Sequence, residues 1–196
     1  MEHVNSYEKE AVQLLKSLIE TPSFSSEESN TAKLIEAWFE QKGISYHKSG
    51  HNRYAFNKYF DPKKTTLLLN SHHDTVKPNS AYTLDPFKAI EKDGKIYGLG
   101  SNDAGGCLVC LLSTFAHFYD RKDLKQNLIM VASAEEESSG ANGLNSVLPL
   151  LPKIDMAIVG EPTQMHLAIA EKGLVVLDGV VKGTPSHAAH PNSDQA

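Results

Sequence analysis

The sequence has 196 residues, of which 40% are hydrophobic and 22% charged, and its formal net charge is -5. This balance allows one sizeable packed domain, excludes wholesale disorder, and leaves no basic run of the kind nucleic-acid binding requires. The N-terminus lacks the basic start and apolar run of a signal peptide, no apolar stretch reaches the roughly 20 residues of a membrane helix, and Cys107 and Cys110 are the only cysteines; a cytoplasmic protein is expected.

In chain order, Ala11, Leu14, Leu15, Leu18 and Ile19 recur at helical spacing and predict a helix over about Tyr7 to Glu20, stopped by Thr21-Pro22. Ser25 and Glu28 have the spacing of a capping box for a second helix, which carries Leu34, Ile35, Trp38 and Phe39 inward and ends at Gly43. Strands follow at Ile44 to His47, Tyr54 to Asn57 and Thr65 to Asn70, the last running into Ser71-His72-His73-Asp74. Ala104 to Tyr119 reads as a helix opened by Asp103, and its C-x-x-C pair lies in an apolar run that predicts two buried, inert thiols. Asn127 to Ala134 is a strand leading into Glu135-Glu136-Glu137, Ala157 to Gly160 is a strand ending at Glu161, and Gly173 to Val181 is strand-like. The alternation predicts a doubly wound, mostly parallel α/β sheet with helices on both faces. Such sheets bind ligands beyond the carboxyl ends of their strands, where three acidic or histidine clusters fall here.

Period-two geometry points His72 and Asp74 to one side of their strand and His73 to the other. A ligating imidazole donates its second ring N–H to a carboxylate, so His72 with Asp74 behind it fits a metal ligand as well as a hydrogen-bonded loop. The glycines before Asp103 do not have the dinucleotide-loop spacing, and Asp103 itself reads as a helix cap or a ligand. Three crowded carboxylates at 135–137 repel one another, a cost that a divalent cation or open solvent relieves. Glu161 reads as a ligand or a surface turn residue. Histidine with several carboxylates suits zinc, or less specifically cobalt or manganese. A serine hydrolase has no support, because no G-x-S-x-G elbow occurs.

Taken together, His72-x-Asp74, Gly98-x-Gly100-x-x-Asp103, Glu136-Glu137, Gly160-Glu161-Pro162-Thr163 and Gly183-x-x-x-His187 resemble the co-catalytic zinc family of amidohydrolases and peptidases that includes acetylornithine deacetylase, succinyl-diaminopimelate desuccinylase and aminoacylase. The resemblance implies two zinc ions, with His72 and Glu161 on one, Asp103 bridging, Glu137 on the second, and Glu136 as general base. It further implies a cis peptide after Asp103, and His187 as a lid-domain histidine that steadies the oxyanion and is often supplied by a partner subunit. The substrate it implies is a small N-acyl amino acid, N-acetylornithine or N-succinylornithine before succinyl-diaminopimelate or a dipeptide; a non-catalytic metal-binding fragment is the other reading. Ala170-Glu171-Lys172-Gly173 is similar to the deacetylases. The family's last metal ligand lies near the C-terminus of a longer chain, so a fragment is expected: an incomplete catalytic domain over 1–172 and the start of a lid or dimerisation domain over 173–196, in a protein that pairs as a homodimer.

Overall fold

The computed structural model describes residues 2–170 and, beyond them, residues 172, 173, 175, 177, 179, 180 and 182. Residues up to Gln164 form one compact unit, and residues from Met165 onward a second. The strand expected over Gly173 to Val181 is only partly among the described residues, and His187 lies outside them.

The compact unit runs α1 (Glu2–Ile19), α2 (Ser29–Gln41), β1 (His47–Ser49), β2 (Asn52–Phe56), β3 (Thr66–His72), β4 (Ile90–Lys92), β5 (Lys95–Tyr97), α3 (Cys107–Phe118), β6 (Asn127–Ser133), α4 (Leu144–Val147) and β7 (Met156–Val159). Five strands make the main sheet in the order β1-β2-β6-β3-β7. β6, β3 and β7 are parallel, and β2 and β1 continue the sheet antiparallel. The register runs from Thr66↔Asn127 to His72↔Ser133 on one side of β3 and from Leu67↔Met156 to Asn70↔Val159 on the other. The carboxyl ends of β3, β6 and β7 therefore lie side by side on one rim.

Strand alternation divides the core in two. Leu69, Leu128, Met130, Ala132 and Ala55 face the stripes of α1, α2 and α3, where Ile35, Phe39, Leu108, Leu112 and Phe115 are fully buried. Tyr54, Leu68, Ile129 and Val131 face the opposite way, onto Val147 of α4. Each such side chain contributes roughly 1.5–3 kcal/mol by leaving water, which is what clamps helices to both faces. Among the described residues, no helix is long and apolar enough to cross a membrane.

Several local expectations are corrected. The capping box does not form: Glu28 is the N-cap residue of α2 without a side-chain cap bond, and its carboxylate is turned inward. Ile44 is buried, but in the turn after α2, with its N–H on Phe39 O, and β1 starts only at His47. α3 begins at Cys107 rather than Ala104, so Asp103 is no cap; it sits with φ -111° and ψ 103° in the kinked segment 101–106. Cys107 is half-buried and Cys110 exposed, both as free thiols, because the buried stripe of α3 is Leu108, Val109, Leu112 and Phe115. The hairpin β4–β5 has its signal in Asp93-Gly94, both at positive φ as a tight turn demands, though the run before it carries too few apolar residues to read as a strand.

Candidate metal centre

The rim formed by the three parallel strands brings together what the chain separates. His72 closes β3 and is fully buried. Its Nδ1 faces Asp74 at 3.0 Å from the carbonyl oxygen and 3.3 Å from Oδ1, which leaves Nε2 to point outward. Around Nε2 stand Asp103 Oδ1 at 3.3 Å, Glu136 Oε2 at 3.7 Å and Glu161 Oε2 at 3.8 Å. Ligand atoms of His72, Asp103 and Glu137 lie within 4.8 Å of one another. His73 points away, with Nδ1 2.9 Å from Thr31 Oγ1 and Nε2 3.2 Å from His51 O. Burial holds its pKa down to about 4, so it is neutral.

Asp103 reaches the rim through a glycine frame. Gly100 lies at φ 73°, where a Cβ would meet Thr75 Cγ2 at 2.7 Å, and a Cβ on Gly105 would meet Gly100 O at 2.5 Å and Leu15 Cδ1 at 2.8 Å. Gly105 N–H donates to Gly100 O at 2.9 Å and closes the loop around Asp103. The Asp103–Ala104 peptide is cis, as the family resemblance implies.

The three successive glutamates have three different fates. Glu135 turns away at φ 53° and accepts from Asn142 N, Asn142 Nδ2 and Ser26 Oγ; its pKa is lowered first by Asn142. Glu136 and Glu137 give their N–H groups to Asp74 Oδ1 at 3.0 Å and Oδ2 at 3.1 Å, and Ser25 Oγ donates to Oδ2 at 2.8 Å. Asp74 thus serves the ring of His72 and the backbone of the glutamate turn at once. Its pKa is lowered: burial opposes ionisation, but His72, Ser25 and Glu136 N–H favour it more.

The rim is electrostatically uncompensated. Glu161 is raised to about 7, first by burial, with Glu136, Asp103 and Glu137 adding to it against His72. Glu137 is raised by burial and by Asp103. His72 is raised to about 9: burial lowers it, but Asp74, Glu161 and Glu136 outweigh burial. A cation in place of the proton relieves every one of these shifts, and an imidazole with carboxylates is a donor set that fits zinc. Beside the rim opens a cleft lined by Asn70, Ser133, Glu136, Ser139, Leu144 and Glu161. Asp103 and Glu136 side chains are 55% and 52% exposed, while His72 is 0%. A buried imidazole with carboxylates open to a cleft gives an arriving molecule access to them.

The model for peptidase family M20/M25/M40 matches residues 68–192, more than half of the sequence. The chain belongs to that family. Acetylornithine deacetylase of Shigella sonnei (strain Ss046) is 31% identical to this M20 chain over 92% of its length and 50% of the relative's, so the chain spans about half of that curated protein. Among solved structures, an M20 family metallo-carboxypeptidase from Sulfolobus solfataricus is similar with a TM-score of 0.65 and 27% identity, covering 77% of this chain and 37% of its own. Human carnosine dipeptidase 1 matches the fold with a TM-score of 0.64 at 18% identity, over 82% of this chain and 40% of its own. A Bacillus subtilis protein described as a dinuclear metal binding peptidase matches with a TM-score of 0.61 at 17% identity, over 79% of this chain and 43% of its own.

His72, Asp103, Glu136, Glu137 and Glu161 therefore converge in this M20 chain, with Asp74 directly behind them. Ser25, Ser26, Glu28 and Asn142 were not foreseen at the site. The one signal for Ser25, Ser26 and Glu28 is a polar Ser-Ser-Glu-Glu cluster between two amphipathic helices, which local spacing reads as a helix start; Asn142 has none.

Proposed function

We propose that the chain carries the metal-binding half of a two-metal amidohydrolase that removes the acyl group of a small N-acyl amino acid, N-acetylornithine or N-succinylornithine, as a cytoplasmic enzyme of arginine biosynthesis. The observation that carries the reading is the approach of His72, Asp103 and Glu137 within 4.8 Å on one rim, with Glu136 and Glu161 beside them. The likeness to an acetylornithine deacetylase supports deacylation ahead of dipeptide cleavage or desuccinylation of diaminopimelate. The description of the Bacillus subtilis relative supports two ions.

In this reading His72 and Glu161 would hold one ion and Glu137 the other, with Asp103 available to both; zinc fits the donors, with cobalt or manganese as substitutes. Ions held there would supply Lewis-acid polarisation of an amide carbonyl and acidify a water. The cleft-facing carboxylate of Glu136 would accept a proton from water as its oxygen adds to the carbonyl carbon, and would return that proton to the amine nitrogen as the C–N bond breaks. Asp74 acts on the reaction only through His72 and the glutamate turn, by fixing the imidazole tautomer and the direction of residues 136–137. His187, outside the described residues, steadies the developing oxyanion. Residues 1–172 belong to the catalytic domain, and residues 173–196 open a lid domain through which full-length chains pair.

The test uses the full-length protein: metal analysis, and release of acetate against succinate from the two acylated ornithines, with succinyl-diaminopimelate and dipeptides for comparison. Two metal equivalents and chelator-sensitive release from an acylated ornithine are expected. Bound metal without hydrolysis of any of these substrates would favour a non-catalytic metal-binding role and defeat the proposal.

A further inference from the structure

Glu28 has no part in the donor set, yet its side chain is fully buried. A buried carboxylate persists only where its hydrogen-bonding capacity is met. Here Oε1 accepts the N–H of Ser26 at 2.8 Å and the N–H of Glu135 at 3.0 Å, and Oε2 lies 2.6 Å from His51 Nδ1. The bond to Glu135 spans 107 residues of chain. It stands directly before the two N–H groups that Asp74 receives. Three successive amides, those of Glu135, Glu136 and Glu137, are thus each taken by a carboxylate oxygen that another segment supplies: Glu28 Oε1, Asp74 Oδ1 and Asp74 Oδ2. A turn whose three amides are all fixed from outside leaves the strand in one direction, which aims the side chains of Glu136 and Glu137.

The same carboxylate is tied to the other half of the rim. His51 O lies 3.2 Å from His73 Nε2, His73 Nδ1 lies 2.9 Å from Thr31 Oγ1, and Thr31 Oγ1 lies 3.1 Å from the carbonyl oxygen of Glu28. Glu28, His51, His73 and Thr31 therefore close a ring of polar contacts, and His73 is the residue next to His72. We infer that Glu28, paired with His51, is a positioning residue that sets the Glu136–Glu137 turn against the His72–Asp74 strand end. The inference rests on the amidohydrolase reading above.

The experiment compares full-length Glu28→Ala, Glu28→Gln and His51→Ala with the unaltered protein, in steady-state kinetics, zinc titration calorimetry and thermal melting. Glu28→Ala is expected to lower kcat and weaken zinc binding by about 10–100-fold, as loss of a metal site's outer hydrogen bonds does, with KM nearly unchanged. Glu28→Gln keeps an oxygen for the amides of Ser26 and Glu135 and is expected to recover most of the loss. Wild-type kcat and zinc affinity in Glu28→Ala would overturn the inference, and so would a loss that Gln does not recover. If Glu28→Ala gives no cooperative melt, His51→Ala decides: it removes the partly exposed imidazole from the carboxylate, and a fall in kcat at constant KM supports the inference while unchanged kcat overturns it. An unaltered protein that neither binds zinc nor hydrolyses an acyl amino acid removes the amidohydrolase reading, and the inference with it, whatever the variants do.

Discussion

His72 and Asp74 are locked together across a single intervening residue: the ring Nδ1 lies 3.0 Å from the Asp74 carbonyl oxygen and 3.3 Å from its Oδ1. The same carboxylate accepts the amides of Glu136 and Glu137. One side chain therefore couples the ends of two neighbouring parallel strands. Asp74→Ala keeps the backbone carbonyl on Nδ1 but strips the carboxylate from the ring and leaves the amides of Glu136 and Glu137 without their acceptor. It is expected to cost about 10–100-fold in zinc affinity and kcat. Asp74→Asn should recover only part of this, since its amide offers one oxygen where the carboxylate offers two. Calorimetric zinc titration alongside steady-state kinetics checks both.

Glu136 and Glu137 are adjacent but occupy different places, and their amide variants should separate. Glu136→Gln removes the proton acceptor and is expected to lower kcat by about 10²–10⁴-fold with metal content unchanged. Glu137→Gln exchanges a ligand oxygen and should lower metal content first. Metal analysis of the two purified variants distinguishes them; equal metal loss in both would contradict the assignment.

Zinc affinity should rise with pH. In the metal-free protein the pKa of His72 is raised from 6.5 to about 9 and that of Glu161 from 4.5 to about 7. For both groups the folded state favours the protonated form, so their contribution to stability is full below the ordinary pKa and fades as pH climbs through about 7 for Glu161 and about 9 for His72. Ligation displaces both protons. Metal-free protein is therefore expected to lose stability from neutral pH to pH 9 while its zinc affinity grows, with protons released on binding. Calorimetry in buffers of different ionisation enthalpy measures the protons, and an affinity independent of pH across this range would contradict the prediction.

Metal removal should destabilise the fold, because Asp103, Glu137 and Glu161 then face one another with His72 as the one cationic partner among the described residues. A ligand at 100 times its Kd stabilises a protein by about 2.7 kcal/mol, or roughly 5–10 °C in Tm for a unit of this size. A chelator is expected to lower Tm by about that amount, and added zinc to restore it, in scanning calorimetry at constant pH.

Gly105→Ala should act on Asp103 from a distance. The new Cβ would lie 2.5 Å from Gly100 O and 2.8 Å from Leu15 Cδ1, and backbone on one side has little room to give. Overpacking of this kind costs about 1–3 kcal/mol. A lower Tm together with weaker zinc binding is expected, whereas Gly50→Ala, with open space around its Cβ and strain only from its φ of 56°, should affect stability alone.

The strands and the helix stripes were legible because they are local. Ile129, Met130 and Val131 read as a buried strand from three neighbours, and Leu14, Leu15 and Leu18 as a helix face from a single turn. Period two likewise places His72 and His73 on opposite sides without any tertiary information, and the structure keeps them there. His72, Glu136, Glu137 and Glu161 were legible for a related reason: they close or follow apolar strands, and parallel pairing gathers those strand ends on one rim. Local spacing misread Glu28 as the capping-box partner of Ser25 and Asp103 as the opening of α3. Only the folded chain offers Glu28 the amide of Glu135, 107 residues away, and only the frame of Gly100 and Gly105 turns Asp103 outward before α3 begins. The sequence by itself determined the strands, the core and the supply of donors, since these depend on residue type and short-range geometry. Tertiary structure alone decided which of three consecutive glutamates is structural and which two stand beside His72 and Asp103, because that choice rests on where distant buried carboxylates accept their backbone amides.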